Sequence, residues 1–219
     1  MPSIYEYETY IFDCDGVILD SNKLKIDAMG LALKQVIENP TLVSQCVNYF
    51  SRNFGKSRFH HVEFFGRELL MLENEDFNTF SVEVLNSYSA MCAELYMKAE
   101  LTPGIVDLLN SLSGSKYIAS GSEELELNNI FEKRDLKRFF SNVYGSPTPK
   151  SKIVHDIVKN ASSLGRCVMI GDAISDCKAA LDNGISFVGY LPYSNVADEL
   201  STMCREHDFM TCSDWKALR

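Results

Sequence analysis

The pattern of apolar and polar positions divides the chain into two regimes. Residues 7–12, Tyr-Glu-Thr-Tyr-Ile-Phe, read as a β-strand that runs straight into Asp13. From about position 21 to 99 strand signals disappear and the chain reads as successive helices. Residues 24–37 carry apolar side chains at helical spacing, and 82–97 contain few breakers. Between them, Arg52-Asn53-Phe54-Gly55-Lys56-Ser57-Arg58 is a polar turn in otherwise helical sequence. After Leu101 strands and helices alternate. Thr102-Pro103-Gly104 has the form of a helix start, with Thr as N-cap and Pro at the first helical position. Strands are predicted at 116–119, 167–170 and 186–190, with helices at 123–133, 151–162 and 174–182. Such alternation predicts an α/β fold, a parallel sheet covered on both faces. The first strand belongs to that sheet, so the helical region is expected as a domain inserted behind it.

Composition narrows the function classes. The 219 residues are 46% hydrophobic and 23% charged, the balance of a globular protein with a core large enough to need no staples. Net charge is −9, which disfavours nucleic acid and anionic membranes as partners. No apolar run approaches a membrane span, and the acidic N-terminus does not resemble a secretory signal. The seven cysteines are scattered, with no C-x-x-C pair, so they are expected to be reduced thiols of a cytoplasmic protein.

In an open parallel sheet, ligands bind at the carboxyl ends of the strands. The residues expected there are Asp13-Cys14-Asp15-Gly16, Ser120-Gly121-Ser122, Gly171-Asp172 with Asp176, and the loop Gly145-Ser146-Pro147-Thr148-Pro149-Lys150. Clustered carboxylates hold a hard divalent cation, and Mg²⁺ is the usual choice beside phosphate. A carboxylate can attack phosphorus when that cation and a lysine cancel the repulsion between two anions. Two carboxylates placed as Asp13 and Asp15 can divide the work, one as nucleophile and the other as acid and base. Each piece alone has a plainer reading. Asp-x-Asp-Gly also marks turns and EF-hand loops, but here Ser21, Asn22 and Lys23 follow where further acidic ligands would be needed. Gly-Asp and Ser120 could be mere caps, and Asp176 a solvated residue. Their conjunction, in order and each at a strand end, favours chemistry.

The segment Ile11-Phe12-Asp13-Cys14-Asp15-Gly16-Val17-Ile18-Leu19-Asp20-Ser21 resembles the first motif of the haloacid dehalogenase-like (HAD) superfamily, down to the Asp-Ser ending of its phosphoglycolate phosphatase and β-phosphoglucomutase branch. Ser120-Gly121-Ser122 resembles the second motif and Gly171-Asp172-Ala173-Ile174-Ser175-Asp176 the fourth. The resemblance implies a Rossmann-like core over residues 1–18 and 100–219, with a helical cap of the C1 type over 19–99. It further implies Asp13 as a nucleophile that forms an aspartyl-phosphate and Asp15 as general acid, then base. Mg²⁺ would be held by Asp13, the backbone carbonyl of Asp15 and Asp172, with Asp176 orienting the ligands. Ser120 would bond the transferring phosphoryl group, beside Gly121. An acid at Asp15 favours phosphoryl transfer over carbon–halogen cleavage.

The third motif departs from the branch's Lys-Pro-x-Pro. Ser146 precedes Pro147-Thr148-Pro149, and lysines follow at 150 and 152. Lys150 is taken as the motif lysine, with Lys152 its rival. In the cap, Arg52, Lys56 and Arg58 are candidate contacts to the substrate, balanced by the reading that they solvate a helix end. His60 and His61, adjacent on a helix, face different directions and suit surface or packing roles. The function expected is hydrolysis of a small phosphorylated metabolite, a sugar phosphate or phosphoglycolate-like compound. A β-phosphoglucomutase-like mutase is the alternative, with a non-enzymatic binding protein behind it. Oligomeric state is left open.

Overall fold

The computed structural model describes residues 3–161 and 163–218. Six strands, β1 (Thr9–Phe12), β2 (Ser115–Glu123), β3 (Asn142–Ser146), β4 (Cys167–Gly171), β5 (Ser186–Tyr190) and β6 (Met210–Cys212), form one sheet in the order β3-β2-β1-β4-β5-β6. Every pairing is parallel. Central strands buried on both faces must be apolar throughout, and their alternate residues serve different cores. Tyr10, Phe12, Val168 and Ile170 join one hydrophobic cluster, while Ile11, Cys167 and Met169 join the other.

Helices α1 (Asn22–Lys34), α2 (Pro40–Arg52), α3 (Arg58–Phe64) and α4 (Asn74–Lys98) fall between β1 and β2 in the chain and form the inserted cap. Asn39 and Ser57 cap α2 and α3 by accepting from the Thr41 and His60 amides. The polar turn at 52–58 therefore separates two helices, as its composition predicted. The remaining helices, α5 (Ile105–Ser111), α6 (Glu124–Lys133), α7 (Lys150–Val158), α8 (Ile174–Asp182) and α9 (Ala197–Glu206), cover the two faces of the sheet.

Two connections join cap to core, and they are stitched together. Leu19 and Leu101 form an antiparallel bridge, the Asp20 amide donates to the Glu100 carbonyl, and the Thr102 amide donates to Ile18. Thr102 is not the helix cap predicted for it. Its hydroxyl instead donates to the Val17 carbonyl at 2.5 Å and accepts from the Trp215 indole at 3.2 Å. Gly104, left-handed at φ +84°, takes the cap position, and α5 starts one residue later.

Two boundaries also differ from expectation. Strand β2 continues past Ala119 to Glu123 with a register shift, so Ser120 lies within the strand. Helix α7 starts at Lys150 and ends at Val158, and the predicted end at position 162 lies outside the described residues. Among the described residues no helix is long and apolar enough to cross a membrane. All seven cysteines are buried and unpaired, packing as small apolar side chains.

Candidate active site

Strands β1 and β4 are neighbours at the point where strand order reverses, the crevice where such sheets bind ligands. Asp13 leaves β1 there and Asp172 leaves β4. Asp176 comes from the first turn of α8, where one of its oxygens accepts from the Ala173 amide at 3.0 Å. The three carboxylates are buried, and each offers an oxygen within 4.8 Å of the others. Gly16, at φ +75°, makes room for them: a Cβ there would press on the Asp172 carboxylate.

Lys150 faces this cluster from the first turn of α7. Its ammonium lies 2.9 Å from Asp13 Oδ1 and 2.5 Å from Asp176 Oδ1. Burial alone would lower its pKa, but the two carboxylates more than offset that and hold it protonated. The rival Lys152 is exposed and pairs with Asp156 on the surface. Ser146, where the branch has its lysine, is buried and its hydroxyl has no hydrogen-bond partner.

Three carboxylates against one ammonium leave the cluster short of positive charge. Burial, with Asp176 and Asp15 nearby, pushes the Asp13 carboxyl from 3.8 up to about 7 despite Lys150. Burial, with Asp13 and Asp176 nearby, likewise pushes the Asp172 carboxyl well above the ordinary carboxylate value. Asp172 Oδ2 accepts from the Asn22 amide at 2.6 Å, whereas Oδ1 is buried with no hydrogen-bond partner. A clustered, oxygen-only, undercompensated donor set with an open lone pair fits a hard cation of the Mg²⁺ kind. Asp176, with both oxygens engaged, is the member least free to ligate.

Asp15 is kept apart from this cluster. It accepts from Ser21 Oγ at 2.6 Å, Lys25 Nζ at 2.7 Å, Ser122 Oγ at 3.0 Å and Tyr96 OH at 3.0 Å. Burial would raise its pKa, but the Lys25 charge and these donors bring it below the usual range. Lys25 comes from α1 and Tyr96 from α4, so the cap supplies part of the surroundings of a core carboxylate. Sequence reasoning passed over Lys25 and Tyr96, and named Ser122 only as part of the strand-end loop. One signal was present: Lys25 follows Ser21 by four residues, the spacing that puts two side chains on the same side at a helix start.

The structure brings most of the other expected residues to this place. Ser120 is buried, its hydroxyl accepting from the Ser122 amide at 3.1 Å. Gly121 lies under the cap turn, where a Cβ would come within 2.6 Å of the Gly55 carbonyl oxygen. Ser175 completes the seam by donating to the Phe54 carbonyl at 2.8 Å. Beneath the turn, Asp13, Asp15, Lys25, Lys56, Arg58 and aromatic side chains enclose a chamber of about 20 Å³. Beyond it, a groove of about 370 Å³ between Lys56, His60, Pro147, Lys150 and Lys178 opens outward.

The three cap cations divide. Lys56 borders both spaces. Arg58 is buried and committed, donating to Ser89 at 2.7 Å and to Glu126 of α6 at 2.6 Å. Arg52 does not face the site. It is exposed and pairs with Glu199 of α9, because the end of α2 points it along the surface. His60 is exposed beside Tyr49, whereas burial pushes His61 down to about 3 and keeps it a neutral, packed ring.

Known proteins resemble this chain in sequence and in fold. The family model for haloacid dehalogenase-like hydrolases matches residues 7–184. A 5'-nucleotidase of Pseudomonas aeruginosa is 25% identical over 228 aligned residues, covering 97% of this chain and 94% of its own. A haloacid dehalogenase-like family hydrolase from Streptococcus pneumoniae shares the fold, with a TM-score of 0.69, 20% identity and 97% of each chain covered. A HAD-type protein of Bacillus subtilis, crystallised with magnesium and showing interdomain movement, gives a TM-score of 0.58 at 19% identity, covering 84% of this chain and 89% of its own.

Proposed function

The chain belongs to the haloacid dehalogenase-like hydrolase family, and from that premise we propose that it is a Mg²⁺-dependent phosphatase of a small phosphorylated metabolite, working through an aspartyl-phosphate on Asp13. The observation that carries this reading is the buried, charge-deficient cluster of Asp13, Asp172 and Asp176 around Lys150, with Asp15 held separately two residues from Asp13. Asp13 and Asp172 would hold the cation, with the Asp15 carbonyl as the third protein ligand and Asp176 orienting Lys150. When bound, the cation supplies the positive charge that lets two anions approach.

The steps assigned to this chain's residues are these. An Asp13 oxygen attacks phosphorus in line, and the bond from phosphorus to the leaving oxygen breaks as the new one forms. Asp15 gives that oxygen its proton. Water then attacks phosphorus, Asp15 takes the proton from it, and phosphate leaves with Asp13 restored. Lys150 stays charged throughout and offsets the anion at Asp13. Ser120 and the backbone around Gly121 receive phosphoryl oxygens, and the cap turn at 53–57 excludes bulk water. As it stands, Asp15 is a carboxylate held by Lys25, the form that accepts a proton. Acting as the acid requires Asp15 to be loaded first and Lys25 to give way.

The chamber under the cap turn is too small for a whole phosphoester, so the leaving group extends toward the outer groove or the cap shifts to admit it. Compact sugar phosphates and phosphoglycolate-like esters suit this enclosure, and the nucleotidase relative adds nucleoside 5'-monophosphates to the classes worth testing. The test is phosphate release from a panel of all three classes, with and without Mg²⁺, for wild type and Asp13→Asn. Mg²⁺-dependent release that disappears in the variant supports the assignment. Full activity in Asp13→Asn sinks it, and silence that is relieved by a sugar bisphosphate turns the reading toward a mutase.

A further inference from the structure

Asn22 has no role among the motif residues, yet it touches two parts of the site. It is the first residue of α1 and almost fully buried. Its Nδ2 donates to Asp172 Oδ2 at 2.6 Å and to the Tyr193 carbonyl, on the loop between β5 and α9, at 2.9 Å. The Tyr193 carbonyl can only accept, so the orientation of the amide is fixed: turned over, it would set one carbonyl oxygen against another. The contact also has a cleared space. A Cβ on Gly16 would come within 2.5 Å of Asn22 Nδ2. Asn22 is not serving its helix, since Ser21 holds the N-cap position and makes no side-chain cap bond.

The bond to Asn22 occupies one Asp172 oxygen and leaves the other, Oδ1, buried without a hydrogen-bond partner. A carboxylate fixed at one oxygen can no longer rotate freely, so its second oxygen keeps one position within the buried acidic cluster. From this geometry we propose that Asn22 is a positioning residue for the cation site, holding Asp172 so that a divalent ion binds without first ordering its ligand. The proposal rests on the reading that Asp172 ligates the cation. It also makes the first turn of the cap part of the metal centre, because Asn22 lies beyond the Leu19–Leu101 bridge that joins cap to core. Any cap movement that withdraws the start of α1 therefore loosens the cation.

The experiment is calorimetric titration of Mg²⁺ into metal-free wild type, Asn22→Ala and Asp172→Asn, alongside thermal unfolding of each in EDTA. Loss of a group that orients a metal ligand typically weakens binding about 10–100-fold. Asn22→Ala is expected to raise the Mg²⁺ Kd by that factor while its unfolding in EDTA matches wild type. An unchanged Kd overturns the proposal. Parallel loss of Mg²⁺ affinity and of stability in EDTA also overturns it, making Asn22 a folding residue instead. Unchanged Mg²⁺ binding in Asp172→Asn overturns the underlying assignment of the ligand, a result distinct from either. Should the alanine form fail to fold, Asn22→Ser, which keeps one donor, carries the same comparison and is expected to fall between wild type and the full loss.

Discussion

Lys25 illustrates what single residues contribute here. A lysine is rarely buried unless paired, and this one is paired with Asp15, also bonds Ser122, and lies over the Phe54 and Tyr96 rings. Removing one partner of a buried ion pair strands the other charge, at a cost of about 3–5 kcal/mol. Lys25→Met is expected to lose stability on that scale at pH 7, measured by urea unfolding. The pH dependence has a definite sign. The folded-state pKa of Asp15 lies below 3.8, so the stability it lends is present above that value and is lost as pH falls through its lower, folded value. The gap between wild type and Lys25→Met should therefore be widest near neutrality and close in strong acid.

At the scale of elements, the decisive contact is the cap turn lying on the β2 strand end. Gly121 tolerates no side chain, because its Cβ would meet the backbone of Gly55 and Lys56 at 2.6–2.8 Å, and backbone cannot swing aside. Gly121→Ala is expected to hold the turn off the site and lower kcat/KM by roughly a hundred-fold, the scale of a displacement of about 1 Å near reacting groups. Faster proteolysis within 53–57 would report the lifted turn directly. An unaffected kcat/KM would show that the turn does not shape the reaction. Ser175→Ala, which deletes one hydrogen bond to Phe54, should act in the same direction but more weakly.

The same scale explains how far the sequence could be read. Strands β1, β4 and β5 were legible because strands buried on both faces are apolar without interruption, and α8 because its apolar residues keep helical spacing. The motif carboxylates were legible because each follows a strand. Lys25 was not, since a lysine beside Lys23 and Leu24 reads as solvated until the fold folds Asp15 back onto α1. Arg52 and Arg58 looked alike in the turn, and only the directions of α2 and α3 send one to the surface and the other to Glu126. Strand β6 went unread because a three-residue strand carries little periodic signal, whereas α9 was missed although its buried Leu200 and Cys204 fall four residues apart on one face.

For the whole molecule, the acidic centre bears on stability. Asp13, raised from 3.8 to about 7, and Asp172, also raised well above 3.8, make the metal-free fold bind more protons than the unfolded chain. Their contribution is complete below 3.8 and is lost as pH rises through 7 and above. A bound cation takes the place of those protons. The rise in Tm produced by Mg²⁺ should therefore grow between pH 5 and pH 8, followed by calorimetry against EDTA controls. At a hundred times its Kd the ion should add about 2.7 kcal/mol. A gain independent of pH would place the ion away from these carboxylates. The Trp215 indole braces the cap connection, stacked on Tyr190 with centroids 3.7 Å apart and bonded to Thr102. Trp215→Ala should cost about 3–5 kcal/mol in chemical denaturation.

The central position of β1 has a consequence for how the protein comes into being. Ile11 pairs with Tyr117 on one side and with Met169 on the other, so the strand made first waits for partners made much later. Contacts this distant in sequence slow folding, because loop-closure entropy must be met before they form. On the ribosome the helices of residues 22–98 emerge and can begin to order while β1 is still unpaired. Asp13 and Asp172 then come together only when most of the chain has been synthesised. The mutual repulsion of these buried carboxylates is thus deferred to the last stage of assembly.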